Sequence, residues 1–595
     1  MTELTKPPDT VVVGAAGFLG RWTVLELLRR GRTVAAVMRE PSRHPNGDKM
    51  SRAARLRAWL AEHGAATEGL EIVAGDTTAG AGLGLGAGAD ERMAEVREVY
   101  NTAAVYRFGL RREQARHSNV DGAVNVLRWA ATRPKLRRLI HVSGYRVGLS
   151  GQPRYPMPDS ERDRLYRDKG AYEGSKAEAD EAVRAMAEEQ GVPLTVVNPA
   201  TVIGHGTTGE TGQYLGLAEL ARDLWQGRLP VLPGTAKTFV PVVTVDYFAR
   251  FMAAIPEHDP VPGGRHWLLD DNTPALPELV RLLAEHLGVR GPRARVPAGV
   301  IRTLPAAITG ADPETLTFLS EDRYDTGSAD KVAAAAGLKH PVVEAALRRW
   351  ADRLVADGFG TAPAGLPGGF ADVAGSRSYV AGDGVNPDFV LLHGLPLDGE
   401  SWRPVLGELD DDAGLDPAGS TVLVADLPGL GRSAPASGSH VDWLTGLLAP
   451  IRTRPVIVAH SAATAIALRY AATWPERVGA LLLVSPYFLQ EPTAWPLRVP
   501  ALTVPVLKRI SPDRLAAQLG ISGSDPNEAT RAIGSAVAGL RRPGGARRIA
   551  RRLKNGGRAA ERGELRALLG QVTIPVHIVH GERDPLIEDP GPVPV

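Results

Sequence analysis

The sequence contains no cysteine among its 595 residues. This absence excludes disulfides, thiolate catalysis and cysteine-ligated zinc or iron–sulfur sites, and we predict no metal site of another kind. An excess of one charge sign is also lacking, because 69 basic residues stand against 67 acidic ones. The chain therefore gives no reason to expect a nucleic-acid partner or binding to a membrane surface.

Long apolar runs are absent as well. None approaches the ~20 residues that a membrane-spanning helix requires, and the polar segment 1–10, with its two prolines, is unlike a signal peptide. The hydrophobic content of 44% and charged content of 23% are those of a globular chain. We therefore expect a cytoplasmic protein with no membrane span, and a length of 595 residues indicates more than one hydrophobic core.

Two series of short apolar runs, separated by helical patterns rich in Ala, Leu and Arg, divide the chain. This alternation is typical of parallel α/β sheets. The runs cover residues 11–13, 34–38, 70–73, 99–101, 139–142 and 194–198, and then 389–392, 422–425, 456–459, 480–484 and 576–579. We predict a Rossmann-type doubly wound sheet in domain 1–355, a Gly/Pro/Ala-rich linker at 356–375 and a second α/β domain at 376–595.

Gly14, Gly17 and Gly20 follow the first apolar run and open a helical pattern. Glycines at this spacing permit a tight turn and close approach of a pyrophosphate, and the helix N-terminus supplies N–H donors. The alternative is a glycine-rich turn without a ligand, but strand, turn and helix are in register, which favours a dinucleotide site.

Arg39 ends the second run, nineteen residues after the last of these glycines. An arginine here suits the 2′-phosphate of NADP, whereas an acidic residue would bind the ribose hydroxyl of NAD. We predict NADP, with NAD as the alternative cofactor and a solvated surface charge as the alternative role of Arg39.

Tyr172 and Lys176 are four residues apart, hence on one face of a helix. The Lys176 cation would lower the pKa of the phenol, so that Tyr172 could exchange a proton with a carbonyl or alcohol oxygen. Ser143 ends the run 139–142, at the carboxyl edge of a parallel sheet where ligands bind. Its hydroxyl could bond the same oxygen.

With these motifs in order, residues 10–354 resemble an extended short-chain dehydrogenase/reductase, closer to its thioester- and fatty-acyl-reductase branch than to the sugar-nucleotide epimerases. The resemblance implies catalytic roles for Ser143, Tyr172 and Lys176, and for Asn119 in holding an active-site water. The cofactor contacts that it implies are Gly14, Gly17, Phe18, Leu19, Gly20, Arg39, Asp76, Thr77, Ala103, Ala104, Tyr172, Lys176, Pro199 and Val202.

The resemblance further implies hydride transfer between a nicotinamide and a carbonyl carbon, with Tyr172 as proton donor. The substrate would be a small carbonyl or acyl molecule, linked to CoA or to a carrier. Epimerase or dehydratase chemistry uses the same residues and remains the alternative. Tightly bound NAD that is retained, with no net turnover of the cofactor, would point to it. Family members often pair through two long helices, so a homodimer is expected.

A turn of small residues at 459–463 follows an apolar run and precedes a helical pattern. Such neighbours are required where a nucleophilic serine occupies a strained turn. With the His393-Gly394 pair and the turn at 581–584, the region 376–595 resembles an α/β-hydrolase. The resemblance implies Ser461 as nucleophile, Asp584 as triad acid, the backbone N–H groups of Leu395 and Ala462 as oxyanion donors, and a cap at about 487–569.

The triad order places a histidine after Asp584, but residues 585–595 contain none, and the last strand and helix of the fold are missing. Three interpretations stay open: a truncated chain, a domain that binds without hydrolysing, or another residue as base. The hypotheses for function are a reductase fused to a hydrolase-like domain, a serine esterase or thioesterase as the principal activity, and a hydrolase-like half that docks a carrier. The basic stretch 541–566 is interpreted as a solvated helix face or as a surface for an acidic carrier or CoA phosphate.

Overall fold

The computed structural model describes residues 6–39, 50–107, 109–147, 153–297, 319–360, 366–382, 384–411, 421–492, 494–520 and 526–581. The chain folds into two compact units. The first comprises Met1–Glu219, Pro230–Leu283 and Pro292–Ala351, and the second comprises Leu220–Leu229, Ala284–Gly291 and Asp352–Val595.

The first unit is built on a seven-stranded parallel sheet in the order β3-β2-β1-β4-β5-β6-β10. Two parallel pairs, β7 with β9 and β8 with β11, lie outside it. The strands are β1 (Thr10–Val13), β2 (Val34–Met38), β3 (Leu70–Ala74), β4 (Glu98–Asn101), β5 (Arg138–Val142), β6 (Leu194–Pro199), β7 (Thr201–Ile203), β8 (Val231–Pro233), β9 (Val242–Thr244), β10 (Arg265–Leu268) and β11 (Ala294–Val296).

Helices cover both faces of this sheet. Along β1 the side chain of Val12 packs into one hydrophobic core, while Val11 and Val13 pack into the other, which is why the strand is apolar at every position. The helices are α1 (Phe18–Arg29), α2 (Arg52–Glu62), α3 (Ala87–Arg92), α4 (Arg112–Arg116), α5 (Gly122–Ala131), α6 (Asp159–Gln190), α7 (Leu217–Trp225), α8 (Val245–His258), α9 (Leu276–His286), α10 (Gly327–Ala335) and α11 (Val343–Ala356).

The second unit contains a seven-stranded mixed sheet in the order β12-β13-β15-β14-β16-β17-β18. Its two edge pairings, β12 with β13 and β13 with β15, are antiparallel, and the others are parallel. The strands are β12 (Gly368–Val373), β13 (Ser376–Gly382), β14 (Phe389–Leu392), β15 (Val422–Ala425), β16 (Val456–His460), β17 (Ala480–Val484) and β18 (Val576–Val579).

Helices of this unit flank the sheet, and the described residues between β17 and β18 form five of them, within the segment predicted as a cap. A capping box between Ser439 and Asp442 begins the helix that precedes β16. The helices are α12 (Arg403–Asp411), α13 (His440–Leu448), α14 (Ala463–Thr473), α15 (Pro500–Arg509), α16 (Pro512–Gln518), α17 (Pro526–Arg541), α18 (Gly545–Gly556) and α19 (Ala559–Leu569).

The predicted fold class is confirmed for both sheets, while the predicted domain bounds, including the start of the second domain at 376, remain a prediction. Strand β12 lies inside the segment 356–375 that the sequence predicts as a linker. The sequence analysis missed it because an exposed edge strand with the sequence GGFADV carries no apolar run. Strand β10 was missed for a similar reason, because its sequence RHWL mixes charge with apolar residues. Across the described ranges, no helix is both long and apolar enough to span a bilayer.

Candidate functional site

The glycine turn lies between β1 and α1, as the sequence predicts. Gly14 has a φ of 85°, and a Cβ placed on it would lie 2.8 Å from the Cα and N atoms of Ala103. A Cβ on Gly20 would overlap the carbonyl oxygen of Gly14. The turn therefore needs glycine for its conformation and its packing, which is the cradle that a pyrophosphate requires.

A cavity of about 500 Å³ opens beside this turn, and we call it the dinucleotide cavity. Six predicted cofactor residues line it, namely Gly14, Gly17, Arg39, Thr77, Ala103 and Ala104. Three arginines that the sequence analysis did not select line it as well: Arg21, Arg52 and Arg55. Four cations at one cavity favour a ligand with a phosphate beyond the pyrophosphate.

Asp76 is held beside this cavity rather than among its lining residues. Its Oδ1 accepts hydrogen bonds from the backbone N–H and the hydroxyl of Thr78, at 2.9 and 2.8 Å. Desolvation raises the pKa of Asp76, but these bonds and the charge of Arg39 outweigh it and lower the pKa overall. Asp76 therefore carries a negative charge close to Arg39, and its contact with the cofactor remains a prediction.

A second cavity, of about 570 Å³, adjoins the first, and we call it the reaction cavity. The two share Gly17, Thr102 and Ala104 in their walls. Besides Gly17 and Ala104, the reaction cavity brings together seven further predicted residues: Phe18, Leu19, Ser143, Tyr172, Lys176, Pro199 and Val202. A dinucleotide at the glycine turn could therefore reach from one cavity into the other.

Tyr172 and Lys176 lie on α6, as predicted, and Gly170 interrupts the helix just before them with a φ of 79°. The ammonium of Lys176 donates to the carbonyl oxygen of Val142 at 3.1 Å. Burial lowers the pKa of Lys176 to about 8, although the carboxylate of Asp180 acts in the opposite direction. Lys176 thus loses its charge in the physiological range rather than far above it.

The expectation of a lowered pKa for Tyr172 is wrong for this arrangement, because burial outweighs any effect of the Lys176 charge. Burial raises the pKa of the Tyr172 phenol well above its usual value, and Tyr106 and Glu173 raise it further. Desolvation dominates because protein atoms replace much of the water that would stabilise a phenolate. The Tyr172 phenol therefore keeps its proton near neutral pH, and its role as proton donor remains a prediction.

Ser143 lines the reaction cavity, but its hydroxyl already donates a hydrogen bond to another side chain. Its Oγ donates to Oδ1 of Asp180 at 2.8 Å, and Asp180 is fully buried and also accepts from Nε of Arg184 at 2.9 Å. The catalytic role of Ser143 remains a prediction, and this contact does not favour it.

Asn119 lies in a π-helical turn, His117–Asp121. Its amide donates to the hydroxyl of Ser175 at 3.0 Å, and Ser175 in turn donates to the carbonyl oxygen of Tyr172 at 2.8 Å. These two bonds support the first turn of the helix at Tyr172. The predicted role of Asn119 in holding a water is not tested by this geometry.

Two tyrosines of the reaction cavity, Tyr106 and Tyr145, were missed by the sequence analysis. Both follow the carboxyl ends of sheet strands, β4 and β5, and this position was the available signal. The loop at 212–215 also lines the cavity. No motif marks that loop, which explains the omission.

In the second unit, Ser461 lies between β16 and α14 with a φ of 50°. Few residues other than glycine adopt this conformation, and it is the one expected of a nucleophile elbow. A Cβ placed on Gly394 would lie 2.9 Å from the Cβ of Ser461, so the turn after β14 packs directly against the elbow. Leu395 follows in that turn, and Ala462 is the N-cap of α14. Asp584 lies outside the described residues.

Two histidines of this unit have partners other than Ser461. The Nε2 of His393 accepts from the backbone N–H of Leu427 at 2.9 Å, and its Nδ1 lies 3.0 Å from the carbonyl oxygen of Gly394. Burial lowers the pKa of His393 to about 4, so its neutral ring donates from Nδ1. His440 contacts Arg552, with 2.6 Å between Nε2 and Nη2. Neither histidine is placed as a base for Ser461.

The basic stretch of the cap faces inward at three positions. Arg542, Arg548 and Arg552 donate to the carbonyl oxygens of Gly431, Gly429 and Pro428. These arginines therefore fasten the helical insertion to the loop after β15. The interpretation of the whole stretch as a solvated helix face is wrong for these three residues.

Comparison with known proteins agrees with this architecture. Residues 12–252 match the family described as male sterility protein, an NAD-binding domain, and residues 387–502 match the α/β-hydrolase fold family. Tetraketide alpha-pyrone reductase 1 of Arabidopsis thaliana is 25% identical over 287 residues, covering 46% of this chain and 79% of that protein. Cinnamoyl-CoA reductase CAD2 of Medicago truncatula is 28% identical over 204 residues, covering 32% of this chain and 57% of that protein.

The second unit has its own relatives. A pimeloyl-[acyl-carrier protein] methyl ester esterase of Shewanella oneidensis is 28% identical over 116 residues, which cover 19% of this chain and 41% of the esterase. Residues 12–252 are thus similar to an NAD-binding family and to known reductases, and residues 387–502 are similar to proteins of the α/β-hydrolase fold. The cofactor of the chain is NADP or NAD.

Proposed function

We propose that the N-terminal domain uses NADPH to reduce a carbonyl group or an acyl thioester, with Tyr172 donating the proton to the substrate oxygen. The observation that carries this proposal is the neutral phenol of Tyr172 in a cavity that adjoins the glycine turn. We take this domain to be residues 1–355 and the hydrolase domain to begin near β12. Subunit pairing and a cytoplasmic location remain predictions.

When bound, the nicotinamide supplies a hydride to the carbonyl carbon. Tyr172 holds its proton until negative charge develops on the substrate oxygen, and then donates it. Lys176, one helical turn away, carries a positive charge below a pH of about 8 and stabilises the phenolate that forms. With an acyl thioester, the C–S bond then breaks, the thiol leaves and an aldehyde remains.

NADP is favoured over NAD by the charge around the dinucleotide cavity. Arg39 follows β2 directly. Arg52 begins α2 and donates to the backbone oxygen of Arg39 at 3.2 Å, and Arg55 lies one turn further on. All three line the cavity. A 2′-phosphate would gain charge-assisted hydrogen bonds there that a ribose hydroxyl would not.

An acyl thioester is favoured by the name of one relative, cinnamoyl-CoA reductase. The match spans about half of that protein, so the acyl group itself is not indicated. A small substrate linked to CoA or to a carrier is consistent with a reaction cavity of about 570 Å³.

The test mixes the full chain with NADPH and one of three probes: octanoyl-CoA, octanal or 2-octanone. We expect loss of reduced-nicotinamide absorbance with at least one probe, and a fall of about 10²–10⁴-fold for Tyr172→Phe. Purified protein that retains NAD and shows no net turnover would instead support epimerase or dehydratase chemistry. Equal turnover by the wild type and Tyr172→Phe would overturn the proposed role of Tyr172.

Ester or thioester hydrolysis at Ser461 is a second candidate function. The left-handed conformation of Ser461 and the packing of Gly394 against it favour an elbow ready for nucleophilic attack. A fluorophosphonate probe should label the wild type and not Ser461→Ala. Absence of labelling in the wild type would favour a hydrolase-like domain that binds without reacting.

A further inference from the structure

One arginine of the dinucleotide cavity lies apart in sequence from Arg39, Arg52 and Arg55. Arg21 is on α1, four residues after Gly17, and its backbone N–H donates to the carbonyl oxygen of Gly17 at 3.0 Å. Side chains on a helix point back toward its N-terminus, so that of Arg21 extends toward the glycine turn. It lines the dinucleotide cavity and is 23% exposed, so a bound molecule can reach it.

Two side chains hold the guanidinium of Arg21 in place. It lies over the ring of Trp59, with 4.7 Å between Cζ and the ring centroid, and its Nη2 is 3.7 Å from Oε1 of Glu210. The indole N–H of Trp59 donates to the same oxygen of Glu210 at 2.7 Å. Because the three side chains contact one another, Arg21 loses little conformational freedom when a ligand arrives.

Glu210 is itself fixed by its neighbours. Its Oε2 lies 2.7 Å from Nε2 of His63, and its backbone oxygen accepts from the N–H of His205 at 2.9 Å. Burial raises the pKa of Glu210, but hydrogen bonds with Trp59 and His63 and the charges beside it outweigh burial and lower the pKa overall. Glu210 is therefore a carboxylate, which attracts the guanidinium of Arg21.

Arg21 also contacts the loop at 212–215 of the reaction cavity. A Cβ placed on Gly212 would lie 2.9 Å from Nη2 of Arg21 and 3.2 Å from Cδ2 of Phe18. Gly212 and Phe18 line the reaction cavity, whereas Arg21 lines the dinucleotide cavity. Arg21 therefore lies where the two cavities adjoin. A dinucleotide that reached from one cavity into the other would pass this point with its middle part, the pyrophosphate.

We propose that Arg21 binds the pyrophosphate of the dinucleotide, and that Glu210 is a positioning residue that directs Arg21 toward it. A guanidinium has five N–H donors in a planar fork, so it can serve a carboxylate and a phosphate together. The pyrophosphate is common to NADPH and NADH, so this contact stabilises both cofactors equally. The 2′-phosphate contact expected of Arg39 stabilises NADPH alone. This inference rests on the cofactor binding that the proposed function requires.

The experiment measures the Kd of NADPH and of NADH by fluorescence titration of the full chain, without substrate. Arg21→Ala should weaken both cofactors by a similar factor of about 10- to 100-fold, whereas Arg39→Ala should weaken NADPH alone. Gly212→Ala, whose new methyl group displaces the guanidinium of Arg21, should also weaken both. Arg30→Ala is the matched control, because Arg30 lies on the same helix, pairs with Glu26 at 2.9 Å and does not line the cavity. It should change neither Kd.

A double-variant cycle tests the role of Glu210. Glu210→Gln should weaken both cofactors, and the double variant Arg21→Ala/Glu210→Gln should bind them no more weakly than Arg21→Ala alone, because Glu210 acts through Arg21. Additive losses in the double variant would show that Glu210 acts independently, and the positioning role would fail.

Loss of NADPH affinity alone in Arg21→Ala would place Arg21 at the 2′-phosphate and overturn the pyrophosphate contact, as would unchanged Kd values for both cofactors. The proposed reduction fails separately. If the wild type binds both cofactors but oxidises no NADPH with octanal, 2-octanone or octanoyl-CoA, the reduction is wrong and the contact of Arg21 is still decided by the Kd values. If the wild type binds neither cofactor, both fail.

Discussion

The ring of Tyr106 lies edge-on to the ring of Tyr172, with centroids 4.9 Å apart and an interplanar angle of 68°. Burial raises the pKa of both phenols, and for Tyr172 the nearby Tyr106 adds to the effect. Contact with a second neutral phenol disfavours the phenolate, so Tyr172 keeps its proton until a substrate oxygen accepts it. Both phenols therefore stay protonated near neutral pH.

The first prediction concerns the proton donor. Tyr172→Phe keeps the ring contact with Tyr106 but removes the proton, so kcat/KM should fall by about 10²–10⁴-fold. NADPH affinity, measured by fluorescence titration, should stay within a few-fold of that of the wild type. Tyr166→Phe is the control, since Tyr166 lies on the same helix and donates to Glu178 at 2.8 Å, outside the reaction cavity. A similar loss in both variants would indicate damage to α6 rather than loss of the donor.

A pH dependence follows from Lys176, whose pKa is lowered to about 8 by burial. The charged form is present below this value and is lost as pH rises through it. We expect kcat/KM for reduction to be level at lower pH and to fall with a midpoint near pH 8. Tyr172 cannot produce this limb because its own pKa is raised well above the usual value.

Lys176→Arg provides the check on the pH profile. An arginine keeps its charge throughout the measured range, so the falling limb should disappear from the profile even if the overall rate decreases. If the pH profile of Lys176→Arg kept a falling limb with the same midpoint as the wild type, a group other than Lys176 would be responsible for it.

The arginines of the dinucleotide cavity predict a preference between the cofactors. Loss of a charge-assisted contact with a 2′-phosphate costs about 1.5–3 kcal/mol, which corresponds to about 10- to 100-fold in affinity. Arg39→Ala should therefore weaken NADPH binding by that factor and leave NADH binding unchanged, as measured by titration. Arg57→Ala, an exposed arginine of α2 that does not line the cavity, is the control. Equal losses for NADPH and NADH would refute a contact with the 2′-phosphate.

A stability prediction concerns the buried pair of Arg138 and Asp259. Nη1 of Arg138 lies 3.1 Å from Oδ2 of Asp259, and the side chains are 6% and 12% exposed. Removing one partner leaves a buried charge uncompensated, so Asp259→Ala should lower the free energy of unfolding by about 3–5 kcal/mol. Glu95→Ala, which breaks an exposed ion pair with Lys135, should cost at most about 1 kcal/mol. Urea unfolding followed by circular dichroism would measure both, and similar values would contradict the prediction.

The elbow at Ser461 predicts a gain in stability from glycine. A residue with a side chain in the left-handed region costs about 1–2 kcal/mol relative to glycine, and Ser461 has a φ of 50°. Ser461→Gly should therefore raise the Tm of the second unit, whereas Ser461→Ala should leave it nearly unchanged. A Tm for Ser461→Gly at or below that of Ser461→Ala would show that the elbow stores no such strain.

The sequence by itself determined the parallel strands at the centre of both sheets, the glycine turn and the helical spacing of Tyr172 and Lys176, but not the outer strands β10, β12 and β13. These features depend on local patterns: apolar strands buried on both faces, glycines where a Cβ would collide, and the period of a helix. It also determined the elbow at Ser461, because a turn of small residues after a buried strand is visible in the sequence.

Only the tertiary structure decided which polar atoms meet. It turned the proton of Ser143 toward Asp180, left the phenol of Tyr145 without a partner among the described residues, and placed Arg52 and Arg55 beside Arg39. It also raised the pKa of Tyr172, which a Tyr–Lys spacing alone had suggested would fall. Hydrogen bonds and desolvation depend on residues far apart in the chain, so no local pattern encodes them.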